Sequence, residues 1–119
     1  MRLLICGGRD FTDAVWAYER LDRIHLAMPV THVIQGEADG ADTIGKEWAE
    51  SRGIDVIPYP ATQESWGRLG KVAGHMRNAQ MLREGKPDRV FVLPGGKGTI
   101  DMVIQAKEAG VPVTFATRI

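Results

Sequence analysis

The chain has 119 residues, of which 44% are apolar and 25% charged, and its acidic and basic side chains are equal in number. This length suits one domain spanning 1–119, and the balance is typical of a soluble globular protein, not a disordered or fibrous one. Zero net charge gives no overall field that would attract nucleic acid or an anionic membrane. The single cysteine, Cys6, excludes an intrachain disulfide and a multi-cysteine metal site, which fits a reducing cytosol.

Short β-branched runs alternate with longer runs of helical period, which predicts βαβ units. The first strand, 3–6, precedes a helix that starts at Thr12 or Asp13 and reaches about Met28. The amino terminus, residues 1–6, has too few apolar residues for a signal peptide. No apolar run approaches the ~20 residues that cross a bilayer. We therefore expect a cytoplasmic protein without a membrane partner. The apolar face of the first helix is predicted to comprise Val15, Tyr18, Leu21, Ile24 or His25, and Met28.

The rest of the chain continues the same alternation. Its longest irregular stretch runs from 59 to about 70 and is the best place for a lid or specificity loop. The other predicted strands are 31–35, 54–57, 89–93 and 111–115. The other predicted helices lie between 42 and 53, over about 72–84, and after Thr99 up to Gly110. The last of these helices has Met102, Val103, Ala106 and Ala109 on one face. Right-handed crossovers then predict a Rossmann-like three-layer α/β/α domain, with a mainly parallel five-stranded sheet in the order 3-2-1-4-5.

In that order the first and fourth strands are neighbours, and ligands bind in the crevice beyond their carboxyl ends. The two loops richest in glycine follow these strands. Glycine lets backbone approach a phosphate, and the N–H groups at a helix N-terminus attract it. One such loop alone is equally well explained by a tight turn. The predicted phosphate loop consists of Pro94, Gly95, Gly96, Lys97, Gly98 and Thr99.

The loops after the first and second strands are expected to open onto the same crevice. An arginine there can bind phosphate or carboxylate through two parallel hydrogen bonds. The aspartates would contact a ribose, bind a cation through water, or only cap a helix. Without a third ligand they do not predict a metal site. The candidate contacts in these loops are Gly7, Gly8, Arg9, Asp10, Gly36, Asp39, Gly40 and Asp42.

Four motifs together resemble the SLOG superfamily, and more closely its YspA-like branch, which is related to YpsA, the Lonely Guy proteins and the DNA-processing protein DprA. The motifs are Gly7-Gly8-Arg9-Asp10-Phe11, the segment 36–42, Arg77-Asn78 with Met81, and the segment 94–99. The resemblance covers nearly the whole chain. It implies a Rossmann-like fold that binds nucleotides or their derivatives, including NAD or ADP-ribose derivatives in some relatives, and a homodimer or higher homo-oligomer.

Lonely Guy enzymes release a base from a nucleoside monophosphate, using the pattern Pro-Gly-Gly-x-Gly-Thr-x-x-Glu and an arginine upstream. Arg77 matches the arginine, but the glutamate position falls on Met102, which cannot accept a proton. Asp101, or an acid from a neighbouring loop such as Glu37 or Asp39, would have to replace that glutamate. The catalytic candidates are therefore Arg77, Asp101 and Glu37, and the sequence leaves open whether the protein is an enzyme.

Three residues, Arg77, Asn78 and Trp66, are candidates for contacts with a nucleobase. Arg77 shares a helix face with Met81, which suits the rim of a base pocket, with Asn78 beside it; the alternative is a surface ion pair. Trp66 lies in the irregular stretch and can stack on a base, whereas Trp48 belongs in the core or a subunit interface.

Three functions follow from these residues. We favour binding or sensing of a phosphate-bearing nucleotide derivative without a required cofactor. The alternatives are N-glycosidic hydrolysis and DprA-like binding of single-stranded DNA, and the neutral charge opposes the latter.

Overall fold

A computed structural model describes residues 1–61 and 72–116 of the chain. Within these residues, five strands alternate with four helices, and each predicted element is confirmed with small shifts at its ends. The strands are β1 (Arg2–Cys6), β2 (His32–Gln35), β3 (Asp55–Pro58), β4 (Arg89–Val92) and β5 (Val113–Phe115). The helices are α1 (Ala14–Ala27), α2 (Ala41–Ser51), α3 (Val72–Gly85) and α4 (Lys97–Glu108).

The five strands form one parallel sheet in the order β3-β2-β1-β4-β5, as predicted. Leu4 in β1 is paired with Ile34 in β2 on one side and with Val90 in β4 on the other. The chain therefore reverses its direction of winding at β1, and the loops after β1 and β4 leave the same edge of the sheet side by side.

The sheet separates two apolar cores because successive side chains of a strand point to opposite faces. Leu3 and Ile5 of β1 pack with α1 and α2, whereas Leu4 and Cys6 pack with α3 and α4. Trp48 of α2 is fully buried in the first core, and its Nε1 donates to Asp22 Oδ1 at 2.8 Å. Of the two places predicted for Trp48, the structure selects the core.

The predicted apolar face of α1 is wrong at its two ends. Asp13 caps the helix by accepting a hydrogen bond from the Trp16 N–H. The buried residues of α1 are Ala17 and Leu21. At about 100° per residue, Val15 lies about 160° around the helix from Ala17 and faces solvent, 77% exposed. Met28 follows the last turn and is also exposed.

The same correction applies to Ala109, which lies beyond the end of α4 and is exposed. In the part of the chain that the structure describes, no helix is long and apolar enough to cross a membrane.

Candidate functional site

Three loops, each numbered after the strand that it follows, meet at the carboxyl edge of the sheet: loop 1 (7–13), loop 2 (36–40) and loop 4 (93–96). Loop 1 joins the other two through its backbone. The Gly8 N–H donates to Pro94 O at 2.8 Å, and the Ala41 N–H donates to Gly8 O at 3.1 Å. The predicted convergence of these loops on one crevice is therefore present in the fold.

The glycines of these loops fall into two groups. A Cβ on Gly95 would lie 2.6 Å from Gly8 N, and a Cβ on Gly7 would lie 2.6 Å from the Ala41 side chain. These glycines allow the loops to pack together, as the tight-turn interpretation requires. Gly96 and Gly98 differ, because no described atom lies within 4 Å of a Cβ built on either residue. The start of α4 is thus open on the side of Gly96 and Gly98.

The N-terminus of α4 carries the predicted phosphate loop. Gly96 is the N-cap residue and supplies no side-chain hydrogen bond to the first turn. The Ile100 N–H donates to Gly96 O, so the amides of residues 97–99 come before the first intrahelical bond. Lys97 is exposed and Thr99 is buried. Uncapped N–H groups and the positive end of the helix dipole together favour an anion at this position.

Between loop 2 and Arg9 of loop 1 lies a polar cleft of about 210 Å³. It is lined mainly by charged side chains and by the backbone of loop 2, and the chain segment after β3 closes one side. The lining residues are Arg9, Gly36, Glu37, Ala38, Asp39, Pro60, Ala61 and Arg77. The structure therefore brings five predicted contacts into one cavity: Arg9, Gly36, Glu37, Asp39 and Arg77.

Arg77 lines this cleft, and Asp42 is buried beside Gly36 of loop 2. Arg77 Nη1 donates to Gly36 O at 2.8 Å, and among the described residues its buried Nε has no hydrogen-bond partner. Burial lowers the pKa of Arg77, while the charge of Asp42 opposes that effect. Asp42 Oδ2 accepts from the N–H groups of Gly36 and Ala38, at 3.2 and 3.3 Å. Asp42 is 8% exposed, so this side chain is held inside and not offered to solvent, and burial raises its pKa.

Glu37 lines the cleft in an unusual backbone conformation, with φ at 58°. A left-handed residue other than glycine costs about 1–2 kcal/mol and needs local support. That support comes from the buried Gln35, whose side chain bonds both the N–H and the carboxylate of Glu37, and from Lys46 Nζ at 3.2 Å from Oε1. The hydrogen bond from Gln35, together with Lys46, lowers the pKa of Glu37. At neutral pH Glu37 is therefore an acceptor and not a proton donor.

Asp101 lies outside the cleft, between α3 and α4. Its Oδ2 accepts from Asn78 Nδ2 at 2.9 Å and from Gln105 Nε2 at 2.8 Å, and its Oδ1 lies 2.7 Å from His75 Nδ1. Burial raises the pKa of Asp101, but these hydrogen bonds lower it overall. Of the three catalytic candidates, Arg77 and Glu37 share the cleft, whereas Asp101 connects two helices.

The remaining predicted contacts have different surroundings. Asp10 lies exposed in loop 1, and Asn78 is 6% exposed with its amide directed to Gly98 O and Asp101. Gly40, with φ at 72°, packs against the loop 1 backbone at Arg9 O. Trp66 lies outside the described residues. Among 1–61 and 72–116, no group of three or more His, Cys, Asp or Glu side chains could hold a metal ion.

Two residues of the site did not emerge from the sequence. Gln35 was assigned only to a strand, and Lys46 only to a helix. The available signal for Gln35 is a polar residue at the carboxyl end of an apolar strand, where the side chain reaches the ligand edge. Nothing in the local sequence identifies Lys46, because its contact with Glu37 depends on how α2 folds back over loop 2.

Comparison with protein families matches residues 1–66 to the family described as YAcAr: YspA, cpYpsA-related SLOG family. Gene 61 protein of Mycobacterium phage D29 is 35% identical over 118 residues, covering 94% of this chain and 93% of the phage protein. The chain belongs to the YspA, cpYpsA-related SLOG family. The family match includes loops 1 and 2 of this SLOG domain, and the similarity to the phage protein extends along nearly all of it.

The SLOG fold also resembles a solved structure, DNA processing protein A (DprA) from Streptococcus pneumoniae. The TM-score is 0.52 at 16% sequence identity, and the alignment covers 95% of this chain. The chain corresponds to 58% of the length of that DprA chain. At this identity the likeness concerns the fold alone.

The position at which Lonely Guy proteins have a glutamate is buried in the apolar core of this SLOG domain. Met102 is 1% exposed and packs in the core between α4 and the sheet, with Cys6 and Val92. A side chain at this position packs among these core residues and does not line the cleft.

Proposed function

We propose that this SLOG domain binds a phosphate-bearing nucleotide or nucleotide derivative, with a phosphate at the N-terminus of α4 and a second polar group in the Arg77 cleft. The observation that carries the proposal is the Gly8 to Pro94 hydrogen bond of 2.8 Å, which joins the two glycine loops at the uncapped start of α4. This arrangement aims backbone N–H groups and a helix dipole at one open position. Family membership supports a ligand derived from a nucleotide.

The size and lining of the cleft support a ligand with several polar groups. Binding pockets for small molecules usually have about 300–1,000 Å³, so a cleft of about 210 Å³ takes a sugar or a phosphate and not a whole nucleotide. The arginines there match phosphate or carboxylate, and the carboxylates of Glu37 and Asp39 match hydroxyl donors such as those of a ribose. The ligand would therefore extend from the cleft past Gly8 to the start of α4.

Binding without turnover fits the acidic residues better than hydrolysis does. The pKa of Glu37 is lowered, so it is a poor proton donor at neutral pH, and Asp101 has donors on both carboxylate oxygens. We propose that no metal is required. Incubation with nucleoside monophosphates, NAD or ADP-ribose should then yield no product by chromatography, and EDTA should not change the affinity for the ligand.

Two substitutions of Gly96 test the anion site directly. Asp and Asn are about equally good N-cap residues, and a Cβ at Gly96 meets no described atom, so both variants should fold. Two like charges about 4 Å apart repel by about 4 kcal/mol at an effective dielectric constant of about 20. In calorimetric titrations with AMP, NAD and ADP-ribose, Gly96→Asp should bind at least about tenfold more weakly than Gly96→Asn.

Equal affinities of Gly96→Asp and Gly96→Asn would place the phosphate elsewhere, and the proposal would fail if the wild-type protein bound none of the three ligands. Tight binding of single-stranded DNA that weakens steeply with salt would replace the proposal with a DprA-like function.

A further inference from the structure

Two consecutive residues of α3 connect the helix to two different loops of the site. Arg77 Nη1 donates to Gly36 O in loop 2 at 2.8 Å, and Asn78 Nδ2 donates to Gly98 O in the first turn of α4 at 3.2 Å. The two acceptors follow different strands: Gly36 comes directly after β2, and Gly98 lies in the helix that follows β4. One helix therefore braces both halves of the proposed site.

Both contacts are closely fitted. A Cβ on Gly36 would lie 2.7 Å from Arg77 Nη1, so only glycine permits this approach. The Asn78 side chain is 6% exposed, and its Nδ2 is oriented by a second acceptor, Asp101 Oδ2, at 2.9 Å. Asp101 is fixed in turn by hydrogen bonds to Gln105 of α4 and His75 of α3. The amide of Asn78 thus has a defined direction and is not available as a surface contact.

The contact with Gly98 O has a consequence for the anion site. The Gly98 carbonyl and the Thr99 N–H belong to one planar trans peptide, in which they point in opposite directions. A side chain that holds the carbonyl therefore also aims the N–H. The Thr99 amide comes before the first intrahelical hydrogen bond of α4, and it is one of the donors in the proposed phosphate site.

We propose that Asn78 is a positioning residue, which acts through Gly98 O to aim the Thr99 N–H at the bound anion. Through α3 and Arg77, it also couples the start of α4 to loop 2. This inference rests on the proposed function, because it presumes that an anion binds at the start of α4. It assigns Asn78 a role other than the ligand contact that the sequence suggests.

Inorganic phosphate is the probe, and the backbone amide signals of Thr99 and Gly36 in ¹H–¹⁵N spectra are the readouts. In the wild-type protein, phosphate should shift the Thr99 signal and also the Gly36 signal. Asn78→Ala should weaken phosphate binding about tenfold, roughly the effect of losing one aimed donor, and should abolish the Gly36 response at saturating phosphate. The loss of the Gly36 response separates positioning from a general loss of stability.

Two further variants make the result decisive. Gln105→Ala removes one contact of Asp101 but leaves its contacts with His75 and Asn78 and the contact between Asn78 and Gly98, so phosphate affinity and both responses should be as in the wild type. Asn78→Leu keeps the side-chain size without a donor, and it should show the same losses as those expected for Asn78→Ala. It therefore takes the place of Asn78→Ala if the alanine variant does not fold.

The outcomes distinguish this inference from the proposed function. If phosphate does not shift the Thr99 signal in the wild-type protein, the anion site itself is wrong. If Thr99 responds but Asn78→Ala or Asn78→Leu retains wild-type affinity or the Gly36 response, the anion site stands and the role of Asn78 is overturned. A loss in Gln105→Ala as large as that in Asn78→Ala would also overturn it, because the effect would then come from Asp101.

Discussion

Gly40 and Gly53 provide a matched pair of substitutions that tests how loops 1 and 2 pack. Both residues have a positive φ, 72° for Gly40 and 69° for Gly53. They differ in their surroundings. A Cβ on Gly40 would lie 2.5 Å from Arg9 O, whereas a Cβ on Gly53 would have no described atom within 4 Å. Replacing each glycine by alanine therefore compares a positive-φ position that packs against loop 1 with one that has open space around it.

A Cβ costs about 1–2 kcal/mol in the left-handed region, and no less at Gly40, whose ψ of −121° lies outside that region. Gly53→Ala should lose only this amount. In Gly40→Ala the new methyl group also meets Gly8 O, which can move only if its hydrogen bond from the Ala41 N–H is disturbed. Disturbing that bond adds about 1–3 kcal/mol, for a total of about 2–5 kcal/mol out of a typical folding stability of about 5–15 kcal/mol.

Urea denaturation of the two variants measures both losses on one scale. Thermal unfolding should show the same order, at about 4 °C per kcal/mol for a domain of this size. The affinity for the ligand gives a third comparison: only Gly40→Ala displaces loop 1, so it alone should weaken binding beyond what its lower stability explains. Equal losses of stability in the two variants would refute the close packing of loops 1 and 2.

Two other predictions concern ionisable groups. Burial, with a smaller effect from the charge of Asp42, raises the pKa of Cys6 to about 12. A thiol reagent at about pH 8 should therefore label Cys6 slowly in the native protein and rapidly in urea. Fast labelling of the native protein would contradict the burial of Cys6. Burial alone would raise the pKa of Asp101, but the hydrogen bonds to its carboxylate lower this pKa below 3.8. The ionised Asp101 therefore contributes fully to stability above about pH 3.8, and this contribution disappears as the pH falls through the folded-state pKa. Asp101→Asn should therefore lower the unfolding free energy at neutral pH and by less at about pH 2, and equal losses at the two pH values would show that ionisation of Asp101 does not stabilise the fold.

The fold followed from the sequence because its main signals are local. The apolar run at the fourth strand predicted a strand buried on both faces, and Val90 to Leu93 are all buried in the sheet. The glycines and Asp13 marked the ends of elements for reasons of backbone conformation and capping, which do not depend on distant residues. Val15 was misplaced because a three-to-four spacing fixes the pattern around a helix but not which side meets the sheet.

The site was predictable only in part, because it depends on contacts between distant segments. Which loops converge follows from the strand order, so the sequence places the glycine loops, Arg9 and Arg77 at one edge of the sheet. The separate roles of Arg77 and Asn78 were not, because their partners, Gly36 and Gly98, lie 41 and 20 residues away. Asp101 looked like a replacement acid because it adjoins the pattern in sequence, but its direction is set by the packing of α3 on α4.

The burial of Met102 bears on whether the Lonely Guy glutamate could be introduced into this protein. Restoring the glutamate of the Lonely Guy pattern by Met102→Glu would place a carboxylate in the apolar core beside Cys6 and Val92. Burying an unpaired charge costs several kcal/mol, which is comparable with the whole stability of a small domain. A laboratory evolution experiment that selects for base release should therefore recover acidic residues at the cleft, or paired changes that turn α4, before it recovers this substitution alone.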